Sequence, residues 1–163
     1  MARWLLGKML VRTCNQSRSE LIITEVEAYD GESDLACHAS KGRTKRTEIM
    51  YHAGGVWYIY LCYGIHEMLN LVVGPENYPA AVLIRGAGDL VGPGRLTKRL
   101  QIDRKLNGAT AAPESRLHLE DLGIEVPRTR IKTSPRIGVD YAGPIWAKKL
   151  WRFQCDLAKI TPA

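Results

Sequence analysis

The sequence lacks any long apolar run. Its 163 residues include no apolar segment behind a basic N-terminus and no uninterrupted stretch long enough to span a bilayer. We therefore expect a soluble protein that is neither secreted nor embedded in a membrane. With 45% hydrophobic and 25% charged residues, a chain of this length suits one globular domain over residues 1–163, with little room for a second.

Close pairs of cysteines are also lacking. The four cysteines, Cys14, Cys37, Cys62 and Cys155, are spread along the chain. That spacing is typical of free thiols in a reducing compartment rather than of a disulfide framework. Cys37 precedes His38, but the other cysteines and histidines offer no ligand pair at zinc-like spacing. We therefore expect no metal and no other cofactor.

Basic residues exceed acidic ones. Lys and Arg total 23 against 17 Asp and Glu, which gives a formal net charge of +6. The basic residues cluster within residues 41–46, 95–99, 128–136 and 148–152. An excess of this size favours a polyanionic partner such as nucleic acid. From charge alone, a solvated basic face explains it equally well.

Hydrophobic periodicity predicts a mixed α/β domain dominated by antiparallel strands, with helices at the edges. Residues 2–11 indicate a helix end or a strand, residues 21–29 and 80–85 indicate strands, and residues 30–42 a loop. Two strand-like runs flank residues 63–66, which predicts a β-hairpin with a four-residue tip. Residues 92–94 open a short helix with Leu96 and Leu100 on one face. Further strands are expected near residues 117–126 and 137–139, and a last segment over residues 146–153.

Two carboxylates and an aromatic ring share one face of the strand predicted at residues 21–29. Glu25, Glu27 and Tyr29 are each two residues apart, and strand side chains alternate between faces. An apolar core rejects unpaired charge. Either this is an edge strand whose polar face is in water, or one glutamate lies in a cleft and serves as a general base. Alternation does not say which glutamate that would be.

The aromatic and amide side chains of the predicted hairpin could serve either the core or the binding of a ligand. Tyr58 and Tyr60 share a face, and aromatics at this spacing are more often core than binding platform. Tyr63 lies at the tip beside Gly64, where a projecting bulky side chain suits insertion between stacked bases. Asn70 interrupts an apolar run, and its amide needs partners either as a structural hydrogen-bonding group or as a reader of base edges.

A series of motifs follows in order along nearly the whole chain. They are residues 5–8 (LLGK), 23–29 (ITEVEAY), 34–38 (DLACH), 43–47 (RTKRT) with Met50, 58–60 (YIY), 63–64 (YG), Asn70, 81–85 (AVLIR), 92–96 (GPGRL) and 136–139 (RIGV) to Gly143. With these motifs the chain resembles the alkyladenine (3-methyladenine) DNA glycosylases. The resemblance implies a monofunctional enzyme of base excision repair. Such an enzyme flips alkylated or deaminated purines out of duplex DNA and hydrolyses them from the sugar.

The resemblance assigns a role to individual positions. Glu27 matches the base that activates the attacking water, and Arg85 and the main-chain carbonyl near Val139 match the groups that hold this water. The expected base pocket consists of Tyr29, His38, Tyr60, Asn70 and Ala28. Within it, Asn70 disfavours guanine by crowding its exocyclic amine, and Tyr63 fills the hole left in the base stack. Further DNA contacts are expected from Ile65, His66, Met50, Thr44, Arg46 and Arg95.

The implied substrates are 3-methyladenine, 7-methylguanine, hypoxanthine and ethenoadenine. A stacked aromatic pocket favours cationic alkylated purines by about 0.5–2 kcal/mol per good cation–π contact. No lysine matches a nucleophile, so we expect no Schiff base and no strand-cleaving lyase activity. In all, we expect a single α+β domain with a curved antiparallel sheet, a protruding β-hairpin and peripheral helices.

The chain departs from the family pattern in a few places. Family members carry additional residues before the first motif and a longer stretch after Arg85, where only residues 86–91 precede the GPG motif here. Val26 replaces the usual threonine between the glutamates, and His66 follows Gly64 and Ile65. We expect the short connection to affect the DNA-contacting surface while every proposed catalytic position stays filled.

Two other functions fit parts of the sequence. A non-catalytic DNA-lesion or RNA-binding module would keep the fold but would not need an aligned carboxylate. Sugar hydrolysis by Glu25 and Glu27 fits less well, because acid and base must flank the scissile bond and neighbours on one strand face do not. The partner expected from the leading interpretation is double-stranded DNA with damaged purines. It implies a monomer without an obligate protein partner, placed in the cytoplasm or nucleoid of a bacterium or the nucleus of a eukaryote.

Overall fold

The computed structural model describes residues 1–156, and within this range the chain forms three short α-helices and nine strands. The helices are α1 (Ala2–Leu5), α2 (Pro93–Arg99) and α3 (Gly143–Ala147). The strands are β1 (Met9–Cys14), β2 (Ser17–Asp30), β3 (Trp57–Cys62), β4 (His66–Val72), β5 (Ala80–Ala87), β6 (Leu90–Val91), β7 (Leu117–Glu120), β8 (Lys132–Ser134) and β9 (Arg152–Gln154). All strand pairs are antiparallel and the sheet is curled, which confirms the predicted α+β class.

Strand β2 joins the two halves of the sheet. Its first part pairs with β1, and its second part lies between β5 and β9. The main strand order is β3-β4-β5-β2-β1-β7, with β6, β8 and β9 off this path. The register of β2 against β5 shifts on both sides of Glu25, which marks a β-bulge. The face that carries Glu25, Glu27 and Tyr29 therefore belongs to an internal strand, and the interpretation of a water-exposed edge strand is wrong.

Alternation along the strands divides the sheet into a core face and a second, mixed face. The core face is built from apolar side chains of several strands and of α2, among them Val26, Trp57, Ile59, Leu69, Leu71, Val82, Ile84 and Leu96. The opposite face of β3, β4 and β5 presents Tyr58, Tyr60, Asn70, Leu83 and Arg85 to a cavity. Trp57 satisfies its indole N–H inside the core by donating to the carbonyl of Leu117 over 2.8 Å.

Hairpin β3–β4 and helix α2 follow their local signals. Cys62 pairs with His66, so the tip is the three-residue turn of residues 63–65 rather than the four residues predicted. Leu96 in α2 and Leu100 directly after it are both buried, as the helical spacing predicted. The start of α2 packs against the hairpin, because a Cβ added at Gly94 would lie 2.7 Å from Nδ1 of His66. A side chain at this position would clash with His66, so the exposed His66 side chain or the start of α2 would have to shift.

Several predicted boundaries were wrong. No strand forms at residues 137–139, where Gly138 has a φ of +75° and the chain bends; the strand of this region is β8. The strand predicted at residues 117–126 ends as β7 at Glu120, and the Asp121 carboxylate then accepts from the N–H of Gly123 in a turn. Residues 2–11 contain both α1 and the first half of β1, so both the helix and the strand considered for this segment are present. Residues 146–153 contain the end of α3 and most of β9.

Candidate active site

A cavity of about 940 Å³ opens on the mixed face of the sheet, within the range of roughly 300–1,000 Å³ usual for small-molecule sites. Its walls come from β2–β5, the start of α2 and the loops at residues 35–50 and 137–141. Among the described residues that line it, none is acidic and four are basic: Lys41, Arg46, Arg85 and Arg95. The cavity therefore offers aromatic surface in a positively charged surrounding.

Glu27 lies directly behind the cavity wall. Its side chain is 0% exposed, and its Oε2 accepts from the Tyr29 hydroxyl over 2.9 Å while its Oε1 accepts from the main-chain N–H of Ile137 over 2.8 Å. Arg85 Nε lies 3.4 Å from Oε1. Burial raises the pKa of Glu27, and the Arg85 cation and the two hydrogen bonds only partly offset this. Glu27 is therefore a buried carboxylate whose basicity exceeds that of an exposed one.

Glu25 is buried as well, but it has different partners. Its Oε1 accepts from Arg85 Nε over 2.9 Å and from Arg152 Nε over 2.6 Å. The two glutamates of the shared face thus meet at one arginine, because Arg85 lies between them. Of the two candidates for a general base, Glu25 accepts hydrogen bonds from two cations, whereas both hydrogen bonds to Glu27 come from neutral donors.

Three aromatic rings named from the sequence line the cavity together. The ring centroids of His38 and Tyr60 are 4.5 Å apart at an interplanar angle of 73°, and Tyr29 lines the wall formed by β2. Nδ1 of His38 lies 2.9 Å from the Tyr58 hydroxyl. Burial, together with the nearby Arg46 cation, lowers the pKa of His38 to about 4. The imidazole is therefore neutral at physiological pH.

A buried ion pair lies behind Tyr29. Arg136 donates two hydrogen bonds to the carboxylate of Asp34, and both side chains have no exposed surface. The guanidinium carbon lies 4.7 Å from the ring centroid of Tyr29 and 5.1 Å from that of Trp151. Arg136 Nη1 also donates to the Ala28 carbonyl over 2.8 Å. This cluster fixes one wall of the cavity, and the sequence patterns at Asp34 and Arg136 carried no signal that would pair them.

Asn70 is held rigidly. It is only 3% exposed, and its Nδ2 donates to the carbonyls of Tyr58 and Met68, each over 3.1 Å. Both amide hydrogens are therefore committed to the hairpin. The Asn70 side chain lines the cavity in one fixed orientation. It therefore acts as a structural hydrogen-bonding group, and its position also allows it to contact a ligand in the cavity.

The hairpin tip projects from the cavity rim. Tyr63 is 87% exposed with a φ of +51°, and Ile65 beside it is 75% exposed. His66 is also exposed and packs on Gly94. Exposure of a large aromatic side chain and a left-handed backbone conformation are each unfavourable for folding. Tyr63 combines the two, which makes it a candidate for a binding role.

The other residues expected to contact DNA divide into two groups. Thr44, Arg46 and Arg95 are exposed and lie on the cavity rim, with the Arg46 guanidinium carbon 5.2 Å from the ring centroid of Tyr60. Met50, in contrast, is 2% exposed and lies in the cavity wall. A contact from it to DNA would have to be made inside the cavity.

Val139, expected to hold the attacking water, lines the cavity, whereas Ala28, expected in the base pocket, does not. Val139 is buried and lines the cavity, and its carbonyl accepts from the N–H of Ala142 over 2.9 Å. Ala28 lies on the opposite face of β2 from Tyr29 and lines a second cavity behind the sheet. Ala28 is connected to the base pocket through its carbonyl, which accepts a hydrogen bond from Arg136 behind Tyr29.

The described part of the chain contains no group of three or more histidine, cysteine, aspartate and glutamate side chains arranged to hold a metal ion. All four cysteines are free thiols. Burial raises the pKa of Cys37, which lies in the cavity wall, to about 11. Within residues 1–156, no helix is both long enough and apolar enough to cross a membrane.

Comparison with known proteins gives one consistent family. The sequence pattern of the methylpurine-DNA glycosylase family matches residues 1–91 and 88–158. The two matched stretches overlap at residues 88–91, within the short connection between Arg85 and the GPG motif.

Similar proteins carry a consistent name, "Putative 3-methyladenine DNA glycosylase". A protein of Psychrobacter cryohalolentis is 46% identical over 85% of this chain and 78% of its own length. Proteins of Methanocella arvoryzae and Anaeromyxobacter sp. are 45% and 44% identical over 94% and 96% of this chain and 84% and 82% of their own lengths. This chain therefore belongs to the methylpurine-DNA glycosylase family.

Proposed function

We propose that this chain is a monofunctional DNA glycosylase that flips damaged purines out of duplex DNA and hydrolyses the N-glycosidic bond. The observation that carries the proposal is the position of Glu27, a buried carboxylate of raised pKa directly behind an aromatic cavity. A pure binding module has no need for such a group, because burying an ionised carboxylate costs folding energy. Residues 1–163 would act as one glycosylase domain.

Glu27 would act as the general base. A carboxylate can accept about four hydrogen bonds, and Glu27 accepts two, so acceptor capacity remains for a water. Because its side chain has no exposed surface, that water would enter as the wall formed by Tyr29 and Ile137 shifts on substrate binding. In the reaction, Glu27 takes a proton from that water and the water oxygen bonds to the anomeric carbon. The bond from this carbon to the purine nitrogen breaks, and its electron pair leaves with the base. The negative carboxylate also stabilises the positive charge that develops on the sugar.

Arg85 and Val139 would hold the attacking water. Arg85 lines the cavity while its Nε is within reach of both glutamates. The Val139 carbonyl accepts one hydrogen bond, from Ala142, and a carbonyl oxygen has a second lone pair. A water between the carbonyl and the Glu27 carboxylate would be oriented with its oxygen toward the sugar.

The flipped purine would stack among Tyr29, His38 and Tyr60. Because His38 is neutral at physiological pH, it does not repel a cationic alkylated purine. The rigid Asn70 would disfavour undamaged guanine, since a side chain fixed by two hydrogen bonds cannot move away from an exocyclic amine. 7-Methylguanine carries the same amine, but its positive charge favours stacking on the aromatic rings and offsets the crowding. We propose 3-methyladenine, 7-methylguanine, hypoxanthine and ethenoadenine as the substrates.

Tyr63 would fill the gap in the base stack that flipping leaves. Its ring projects from the tip of a hairpin whose base forms a wall of the cavity, so insertion and capture of the base occur close together. The basic rim would contact phosphates, including Arg46 and Arg95. The enzyme would work as a monomer without an obligate protein partner, inside the cell where its DNA is.

We also propose that the enzyme lacks lyase activity. Lys41 is the one lysine among the described residues that line the cavity, and its side chain is on the exposed rim. Borohydride treatment during turnover traps an imine between a lysine and the sugar as a covalent protein–DNA adduct. We expect no adduct, and its appearance would assign a bifunctional mechanism.

The decisive experiment is single-turnover release of base from duplexes that each contain one hypoxanthine, ethenoadenine or methylated purine. General-base catalysis contributes about 10²- to 10⁴-fold to a rate. We therefore expect Glu27→Gln to release base at least about 10²-fold more slowly than the unmodified protein. The variant should keep lesion-selective binding. Equal rates would exclude Glu27 as the base. Absence of release by the unmodified protein, with lesion binding intact, would support the non-catalytic binding module.

A further inference from the structure

Four charged side chains form a continuous row beside the cavity. Arg152 Nε lies 2.6 Å from Glu25 Oε1, the same oxygen lies 2.9 Å from Arg85 Nε, and Arg85 Nε lies 3.4 Å from Glu27 Oε1. The charges alternate along the row, and side-chain exposure falls from 20% at Arg152 to 0% at Glu27. Two cations thus balance two anions, which makes the burial of the row tolerable.

Arg85 is shared unequally between the two glutamates. Its Nε carries one hydrogen, and the shorter distance shows that this hydrogen is given to Glu25. Glu27 receives the attraction of the same cation without that hydrogen bond. Arg152, from the other side, attracts the Glu25 carboxylate and so limits its hold on Arg85.

The backbone builds this arrangement locally. The bulge at Glu25 changes the register between β2 and β5 and places Gly86 opposite Glu25. A Cβ at Gly86 would lie 3.2 Å from the Glu25 Cβ, so glycine permits the close approach. On the other side of β2, Arg152 is the register partner of Glu27, yet its side chain reaches Glu25.

We propose that Glu25 and Arg152 are positioning residues that divide Arg85 between the two glutamates and thereby set the basicity of Glu27. Neither residue touches the substrate in this proposal, which rests on the assignment of Glu27 as the general base. If Glu25 were absent, Arg85 would turn to Glu27 and pair with it fully. If Arg152 were absent, Glu25 would hold Arg85 more strongly and one nearby positive charge would be lost.

The direction of each effect follows from the groups that face Glu27. These are Tyr29 and Glu25 on its own strand, Arg85 on β5, Arg152 on β9, and in the loop after β8 the N–H of Ile137 and Arg136, which is paired with Asp34. Replacing Glu25 by Gln removes a like charge and frees Arg85, so the pKa of Glu27 should fall. Replacing Arg152 by Gln removes a cation that lowers this pKa, so it should rise.

The test is an NMR titration of the Glu27 side-chain carboxyl carbon, assigned by comparison with Glu27→Gln. We expect Glu25→Gln and Arg152→Gln to move the midpoint in opposite directions, each by about one pH unit. The double variant should keep most of the downward shift of Glu25→Gln, because Arg85 is freed in both variants and Arg152 can then act on Glu27 only through its charge. Glu20→Gln, which removes the carboxylate of an exposed pair with Arg18, is the matched control and should leave the midpoint unchanged.

Shifts in the same direction, or no shift in either variant, would overturn the proposal. Thermal unfolding and lesion-duplex binding establish that each variant is folded. Should Glu25→Gln fail to fold, Glu25→Asp keeps the charge but shortens the reach to Arg85; it should lower the midpoint, and an unchanged or raised midpoint would contradict the proposal. The acidic limb of the single-turnover pH profile should move with the NMR midpoint.

The titration needs no turnover, so the two proposals fail separately. If no duplex releases a base but the opposite shifts appear, the charge row is as proposed and the function is not. If bases are released and Glu27→Gln is inactive, but the midpoint does not move, the function stands and the positioning roles of Glu25 and Arg152 are excluded.

Discussion

The main-chain N–H of Ile137 donates a hydrogen bond to Oε1 of Glu27 over 2.8 Å, although the two residues are 110 positions apart in the chain. Through this bond, the loop that follows β8 and lines the cavity is tied to the candidate base. The loop and Glu27 therefore form one structural unit, and a change in the position of either should displace the other.

Glu27→Gln should not weaken the fold at neutral pH. The pKa of Glu27 is raised by burial, so the folded state binds its proton more tightly than the unfolded state does. The stability from this group is therefore full below the unfolded pKa and is lost as the pH rises through the folded value. Gln cannot ionise and avoids that loss, so its free energy of unfolding at pH 7 should equal or exceed that of the original protein.

Thermal or urea unfolding across pH checks this prediction. The difference in free energy of unfolding between Glu27→Gln and the original protein should grow in favour of Gln as the pH rises above about 4.5, and then level off. A variant clearly less stable at pH 7 would show that the ion pair with Arg85 outweighs the cost of burial.

His38 should make the fold sensitive to mild acid. Burial and the Arg46 cation lower its pKa from 6.5 to about 4. Between these values the unfolded state binds the proton and the folded state does not, so stability falls as the pH drops from 6.5 to about 4. At about 1.4 kcal/mol per pKa unit, the loss reaches roughly 3 kcal/mol.

Unfolding titrations at pH 7 and pH 4.5 measure this loss in the original protein, in His38→Gln and in His52→Gln. His38→Gln should lose less stability on acidification, because it has no imidazole to titrate. His52 is exposed and serves as the matched control. If His52→Gln reduces the loss as much as His38→Gln does, the acid sensitivity does not come from His38.

Tyr63→Ala should weaken binding to lesion duplex while sparing the fold. The side chain is 87% exposed, so its removal takes almost no area out of the core. Stacking of an aromatic on a base contributes about 1–3 kcal/mol by alanine substitution, which corresponds to a roughly 5- to 150-fold loss of affinity. Fluorescence anisotropy with lesion-containing and undamaged duplexes separates the two effects.

A suitable control for the hairpin variant is Leu122→Ala, which removes an exposed apolar side chain far from the tip in the chain. It should change neither affinity. Equal losses of affinity for lesion and undamaged duplexes in Tyr63→Ala would assign the tyrosine to general DNA contact rather than to base flipping.

Asp34→Ala should destabilise the protein severely. It leaves Arg136 as a buried cation without its partner, since both side chains have no exposed surface. Breaking a buried pair by removing one partner costs about 3–5 kcal/mol. Glu20→Ala, which breaks an exposed pair with Arg18, should cost less than about 1 kcal/mol. Similar losses in the two variants, measured by urea unfolding, would contradict the structural role of the Asp34–Arg136 pair.

Some features of the fold could be predicted from short stretches of sequence. The alternation around Glu25, Glu27 and Tyr29 predicts a strand, the two β-branched and aromatic runs predict the hairpin, and the GPG motif predicts the start of α2. Each of these signals acts over a few residues, because side-chain alternation, turn formation and helix initiation are local properties of the backbone. The motif order, taken together, was sufficient to predict the family.

Other features depended on contacts between distant parts of the chain. Strand alternation alone left open which glutamate could serve as a base, a choice that only the family resemblance made, and whether the face of β2 is exposed. The pairing of β2 with both β5 and β9 buried that face. The strand predicted near Val139 was wrong because the positive φ of Gly138 bends the chain over Glu27. Local periodicity does not report such a bend.

The residue types of the site were thus determined by the sequence, and their electrostatic states by the tertiary structure. Glu27 and Arg85 are recognisable as chemistry-bearing residues in the one-dimensional chain. Whether a carboxylate is basic or fully neutralised depends on burial and on the cations within a few ångströms. Those cations, Arg85 and Arg152, come from strands 60 and 127 residues away from Glu25 and meet it only after the sheet has formed.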